Sequence, residues 1–285
     1  MKTVIESSSK TVVIGSDGPF CVIGERINPT GRKAFQAQLQ AGNLSQLEID
    51  VAEQVAGGAD ILDVNVGDPL ADEVGLMRRA VPFMQGLTDL PLCIDSSVIA
   101  ALEAGLAAYK GKALVNSVTG EDARLEAILP IVARYGAAVI GLANDDKVPM
   151  DPRRRLEVAK KIVSAAGDYG IPPQDVVIDA LAMPVGAEPR AVTLFLETLR
   201  LLREELGVNT TCGASNTSFG LPGRHALGAA FLAVAQSHGL TSAIMDARRD
   251  ETVTAVRATD FLLGRDEWGA HWIARFRAKR AAAAS

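Results

Sequence analysis

The side chains of this sequence that could do chemistry stand where its apolar runs end. Stretches rich in Val, Ile and Leu give way to Glu25, Arg26 and Asn28, then to Asp63 and Asn65, Asp95 with Ser96 and Ser97, Asn116 with Ser117, Asn144, Asp179, Ser215 with Asn216, and Asp246. Asp95, Asn116 and Asp179 each follow apolar neighbours (Cys-Ile-Asp, Leu-Val-Asn, Val-Ile-Asp). Burying a polar group there without a partner is costly, and a ligand can supply the partner. For Asn144 and Asp246 the simpler role is to cap a turn or the following helix.

A lining of Asp and Asn, poor in Lys and His, suits a neutral, planar, donor-rich ring such as a pterin or a guanine better than a phosphate. One ionised Asp can accept two parallel hydrogen bonds from a ring N–H and its adjacent amino group, while Asn matches mixed donor and acceptor edges. His225, His238 and His271 lack metal-site spacing, so no metal ligand is assigned. No G-x-S-x-G elbow is present, and neither G-x-G-x-x-G nor G-x-x-x-x-G-K-[ST] opens a helix. Metal-assisted hydrolysis on a ring of carboxylates stays open on the residues alone.

The elements that must position these groups follow a regular order. Apolar, strand-like runs over 20–27, 61–66, 92–96, 113–118, 137–143, 176–181, 210–215 and 242–246 alternate with helix-period segments, the pattern of βα units on a parallel sheet. Eight such units in strict alternation fit a single (β/α)8 TIM barrel better than an open doubly wound sheet. In a barrel the strand ends meet at the C-terminal mouth, where active sites of such folds lie. Asp63 and Asn65, two apart in one strand, point the same way. Helix boundaries are marked by Pro152 after Asp151 and by Gly170, Gly207 and Gly239 after helical runs. The β-prone stretches 3–5 and 11–14 flank Ser7-Ser8-Ser9 and read as a hairpin closing the barrel bottom. The expected organisation is an N-terminal extension over 1–19, a barrel over 20–275 and a tail over 276–285.

Composition narrows the classes. The 285 residues are 48% hydrophobic and 22% charged, with 29 basic against 34 acidic residues and a formal charge of -5, ordinary for a globular domain and unfavourable for nucleic-acid binding. No apolar stretch is long enough to span a bilayer and the N-terminus has no apolar signal core, so a cytoplasmic protein with no membrane partner is expected. Cys21, Cys93 and Cys212 lie in apolar strand-like runs without a C-x-x-C pair, which reads as reduced core thiols.

Six motifs in order carry a resemblance: Gly24-Glu25-Arg26-Ile27-Asn28, the Gly58-Ala59-Asp60-Ile61-Leu62-Asp63-Val64-Asn65-Val66-Gly67 stretch, Cys93-Ile94-Asp95-Ser96-Ser97, Val115-Asn116-Ser117, Ile178-Asp179-Ala180-Leu181, and Gly213-Ala214-Ser215-Asn216 followed by Gly223-Arg224. Together they resemble the methyltetrahydrofolate:corrinoid protein methyltransferases of the pterin-binding barrel superfamily. The resemblance implies that Asp95, Asn116 and Asp179 grip the pterin ring, while Asp63, Asn65 and 213–215, including Gly213 and Ser215, shape its pocket. It implies that Asn216 is the catalytic contact at the methyl-bearing N5, with Arg224 beside that network, and that Glu25 and Asn28 approach the same site. It further implies tetrahydrofolate or methyltetrahydrofolate as substrate, a corrinoid (cobalamin) carried by a separate corrinoid protein, and a homodimer. The chain has no D-x-H-x-x-G corrinoid-ligating motif of its own.

Two related families share the barrel and the pterin site. Dihydropteroate synthase usually carries Arg-Lys after the strand-seven Ser, where this chain has Ser215-Asn216-Thr217, and its second-strand loop differs from Gly67-Asp68-Pro69. Arg248 and Arg249 after strand eight are the cations that a pyrophosphate could still use. The folate module of cobalamin-dependent methionine synthase shares the pterin motifs within a far larger polypeptide. A noncatalytic pterin or folate carrier is the alternative of a different class.

Overall fold

The computed structural model describes residues 1–282. A two-stranded antiparallel hairpin, β1 (Lys2–Glu6) and β2 (Thr11–Gly15), precedes eight strands: β3 (Cys21–Ile27), β4 (Ile61–Val64), β5 (Leu92–Asp95), β6 (Leu114–Val118), β7 (Ala138–Leu142), β8 (Val176–Asp179), β9 (Asn209–Thr211) and β10 (Ser242–Met245). All eight pair in parallel in the order β10-β3-β4-β5-β6-β7-β8-β9. A single parallel bridge between Gly213 and Ile244 joins the last strand to the first, with the Ile244 N–H donating to the Cys212 carbonyl at 2.9 Å. The expected (β/α)8 barrel is the observed one.

The helices are α1 (Lys33–Gln40), α2 (Ser45–Gly57), α3 (Glu73–Leu87), α4 (Ile99–Ala108), α5 (Asp122–Arg134), α6 (Pro152–Asp168), α7 (Ala191–Glu205), α8 (Arg224–Ser237), α9 (Asp250–Leu262) and α10 (Ala270–Ala282). Asp151 caps α6, its side chain accepting from the Arg153 N–H, and Pro152 occupies the first turn, where no amide donor is needed. Gly207 and Gly239 turn left-handed at φ 65° and 110° just past α7 and α8. No helix among the described residues is long and apolar enough to cross a membrane.

Strand periodicity divides the apolar residues into two cores. One row, including Val22, Leu62, Val64, Leu92, Ile94, Val115, Val139, Val176 and Ile178, packs outward against the helices. The alternate row, Cys21, Ile23, Ile61, Cys93, Leu114, Ala138, Ile140 and Val177, fills the barrel interior together with Ile5 and Ile14 of the hairpin. The hairpin is thus a plug. It is pinned by paired backbone bonds between Glu6 and Lys112, each 2.9 Å, and by Asn209 Nδ2 donating to the Ile14 carbonyl at 2.8 Å. All three cysteines are buried free thiols, Cys21 and Cys93 inside the barrel and Cys212 outside it.

Most strands end a residue or two short of the sequence reading, and two boundaries differ in a way that matters. β9 ends at Thr211, because Ala214–Asn216 winds into a 3-10 turn that carries Ser215 and Asn216 onto the rim. Of the expected tail, residues up to 282 belong to α10, and 283–285 lie outside the described residues. That helix forms because Asp266 accepts from the His271 and Trp272 amides of its first turn, while Arg275 ties it to the Gly57 carbonyl at 3.0 Å and to Asp250.

Candidate active site

Continuing the inward row past its apolar layers leads to Glu25 on β3, Asp63 on β4 with Asn65 just beyond it, Asp95 on β5, Asn116 on β6 and Asp179 on β8. The hydrogen bonds fix their direction. Asp63 sits in register with Cys93 and Asn116 with Asp95, yet Asn116 Nδ2 donates to Asp63 Oδ1 at 3.1 Å across the intervening strand. Only side chains that both face the interior can meet in this way. Asn65 Nδ2 likewise donates to Asp95 Oδ2 at 2.9 Å, while its own Oδ1 accepts from the Gly67 N–H at 2.8 Å. Asp179 Oδ1 accepts from the Leu181 N–H at 2.7 Å. Among the described residues, the second carboxylate oxygens of Asp95 and Asp179 have no hydrogen-bond donor.

Low dielectric and crowding set the charge of this layer. Burial pushes Asp63 well above the usual carboxylate range, and the neighbouring Asp95 charge pushes it further, while the Asn116 amide opposes the rise. Burial raises Asp95 to about 6; the Asn65 hydrogen bond opposes the rise and Glu73 adds to it. Asp179 is raised to about 6 by burial, opposed by the Leu181 N–H and the Arg155 charge. Glu25 reaches about 7 through burial, despite the Ser215 hydroxyl donating to it at 3.3 Å. Near pH 7 the layer therefore offers Asp95 and Asp179 as mainly ionised acceptors, beside Asp63, whose burial disfavours its charged form, and Glu25, which lies close to its midpoint.

The β9–α8 segment forms the next part of the rim. Arg224 Nη2 donates to the Ser215 carbonyl at 3.3 Å, and Glu25, Ser215, Arg224, His225, Asp246 and Arg249 line a cleft of about 180 Å³ there. A Cβ at Gly213 would lie 2.9 Å from Asn216 Nδ2, so any larger residue there would force the Asn216 side chain to shift. Asn216 itself is exposed on the rim.

Other sequence candidates serve local structure. Asn28 Oδ1 accepts from the Thr30 amide in the β3–α1 loop, while Asn144 Nδ2 donates to the Asp145 carbonyl of its own loop and the following helix is capped by Asp151. Asp246 caps the Arg248 amide and holds Gln54 and the Arg248 guanidinium, and these bonds bring it down to about 2 although burial opposes them. Arg248 is shared between Asp246 and Glu53, and Arg249 pairs with Asp246. Sequence reasoning missed Glu73, which accepts from the Ser96 hydroxyl behind Asp95, and Arg155, which lies behind Asp179. Glu73 follows the α3 N-cap Asp72 and reads in sequence as an ordinary first-turn acid.

Residues 24–246 match the family described as pterin binding enzyme. The chain belongs to that family. This pterin-binding enzyme is 30% identical over 260 residues to the methionine synthase of Mycobacterium tuberculosis, covering 86% of this chain and 22% of that protein. It therefore spans about a fifth of that relative's length. It is 29% identical over 252 residues to the methylcorrinoid:tetrahydrofolate methyltransferase of Eubacterium limosum, covering 86% of this chain and 92% of that protein. Its fold matches a dihydropteroate synthase from Coxiella burnetii in complex with pteroic acid, with a TM-score of 0.71, 16% identity, and 92% of this chain and 99% of that chain covered.

Proposed function

We propose that this pterin-binding enzyme is a methyltransferase that moves a methyl group between N5 of tetrahydrofolate and the cobalt of a corrinoid carried on a separate protein. The observation that carries the reading is the inward row of Asp95, Asn116 and Asp179, whose two Asp side chains each keep one oxygen free at the mouth. The names of the Eubacterium and Mycobacterium relatives support it, the former through a protein of nearly the same extent.

Ionised Asp95 and Asp179 accept from the ring N–H and amino groups, and Asn116, held by its bond to Asp63, presents its carbonyl oxygen to the same edge. The corrinoid supplies a strongly nucleophilic cobalt in one direction and a labile methyl group in the other. Breaking the methyl–N5 bond leaves its electron pair on N5, a poor leaving group unless a proton or hydrogen bond stabilises it. Asn216 on the rim is the contact for N5, Arg224 braces its segment through the Ser215 carbonyl, and Glu25, raised to about 7, accepts from the Ser215 hydroxyl and can exchange a proton near neutral pH. The same contacts serve the reverse transfer, since a catalyst lowers one barrier for both directions.

A dihydropteroate synthase reading would need free cations for a pyrophosphate, and both arginines after β10 are engaged by Asp246. A carrier would bind the pterin without turnover. Titration with methyltetrahydrofolate, followed by cob(I)alamin and the spectral change to methylcobalamin, separates the readings. Asn216→Ala should lose rate far more than affinity, and Asp95→Ala should lose affinity. Binding without transfer, with candidate corrinoid proteins supplied, would favour a carrier or synthase; no binding would remove the pterin role altogether.

A further inference from the structure

Arg155 heads the largest fully buried side chains of the protein, at 0% exposure. Its hydrogen bonds go to carbonyl oxygens: Nε donates to Pro149 at 2.8 Å, and Nη1 to Ala180 at 2.8 Å and Leu181 at 3.0 Å. Nη2 is buried and has no partner among the described residues. A guanidinium is expensive to bury in this way, so packing alone is a poor reason for it. The two carbonyls it holds in common belong to the turn that follows Asp179. There Leu181 adopts a left-handed backbone at φ 64°, an unfavourable conformation for a Leu, and its N–H lies on Asp179 Oδ1 at 2.7 Å.

We propose that Arg155 is a positioning residue for Asp179. By gripping the Ala180 and Leu181 carbonyls from α6, it holds Leu181 left-handed, so that one Asp179 oxygen is bound by the Leu181 amide and the other stays free for a ligand. The inference rests on the pterin reading only for what that free oxygen receives. Electrostatics act in the same direction. The charges that bear on Asp179 are few: Arg155 favours its ionised form, burial opposes it, and Cys212, just past β9, is a thiol kept neutral by burial. Leu142 of β7, paired with Asp179 in register, adds no charge.

The test is a carbon-13 carboxyl NMR titration of Asp179 in the ligand-free protein, its resonance assigned by loss in Asp179→Asn, combined with the methyltetrahydrofolate Kd at pH 7. Arg155→Gln removes both charge and fork. It should move the Asp179 midpoint up by about one pH unit and weaken binding roughly tenfold. Arg155→Lys keeps the charge but not the planar fork, and should leave the midpoint within a few tenths while still weakening binding several-fold. A purely structural Arg155 would lower the melting temperature of both variants and move neither readout; that result overturns the proposal. If Arg155→Gln does not fold, unchanged affinity in Arg155→Lys overturns it. If wild type binds no methyltetrahydrofolate, the pterin reading fails, and the Asp179 midpoint in Arg155→Gln still decides the positioning role.

Discussion

Asn65 donates to Asp95 at 2.9 Å, so a side chain just past the end of β4 favours the ionised form of one on β5 against the burial that opposes it. Asp95 must be ionised to accept from a pterin, and its carboxyl, raised by burial, titrates at about 6. Affinity for methyltetrahydrofolate should therefore rise as pH increases through about 6 and fall below it. Asn65→Ala removes a hydrogen bond to the charged form and should move that midpoint upward by roughly one unit. Kd measured from pH 5 to 8 on both proteins checks this; identical profiles would show that Asp95 does not carry the binding.

The same burial creates a trade between function and stability. Asp95 has its folded pKa raised from 3.8 to about 6, so the folded state holds the proton more tightly than the unfolded chain. Its stabilising contribution is complete below pH 3.8 and is lost as pH rises through about 6. At pH 8 an ionised, nearly buried carboxylate is thus a liability to the unliganded protein. Asp95→Asn keeps an oxygen for Asn65 and removes the charge. It should stabilise the ligand-free enzyme at pH 8 by about 1–3 kcal/mol, with no gain at pH 4, while weakening pterin binding by tenfold or more. Thermal unfolding at the two pH values provides the check, and equal stability at both would refute it.

Much of this was legible in the sequence, because side-chain alternation in strands is strict. Cys21, Ile23 and Glu25 stand on one face of a strand, as do Ile61, Asp63 and Asn65, so eight apolar runs ending in polar residues already imply a filled barrel with a polar mouth. What was not legible depends on contacts between distant segments. Glu73 behind Ser96 and Arg155 behind the Ala180 and Leu181 carbonyls look in sequence like solvated helix charges, since no local pattern tells a surface Arg from one folded beneath a loop. Arg248 and Arg249, in sequence two free cations, are drawn to Asp246 and Glu53. The early end of β9 was also hidden, because the run up to Ser215 keeps a strand-like composition while the chain turns to bring Asn216 to the rim.

Gly213 tests whether that turn matters. Its φ of -73° suits any residue, so substitution strains no backbone and acts only through the new Cβ, placed 2.9 Å from Asn216 Nδ2. Gly213→Ala should fold normally and bind methyltetrahydrofolate within about threefold of wild type, yet lose roughly ten- to a hundredfold in transfer rate by displacing Asn216. Equal losses in Kd and rate would place Asn216 in ring binding instead.

Glu25 can carry a proton near neutrality. Burial raises its carboxyl to about 7, and its hydrogen-bond partner Ser215 is the residue beside Asn216. If demethylation of methyltetrahydrofolate draws on that proton, single-turnover transfer to cob(I)alamin should slow as pH rises through about 7 and Glu25 ionises. Glu25→Gln cannot ionise, so its profile should be flat through this range, with a rate below the acid plateau of wild type because the amide is no acid. A Gln variant that retains the wild-type inflection would assign the titration to another group. A variant with full rate and no inflection would mean that a neutral hydrogen-bonding group beside Ser215 suffices and that the proton reaches N5 by another route.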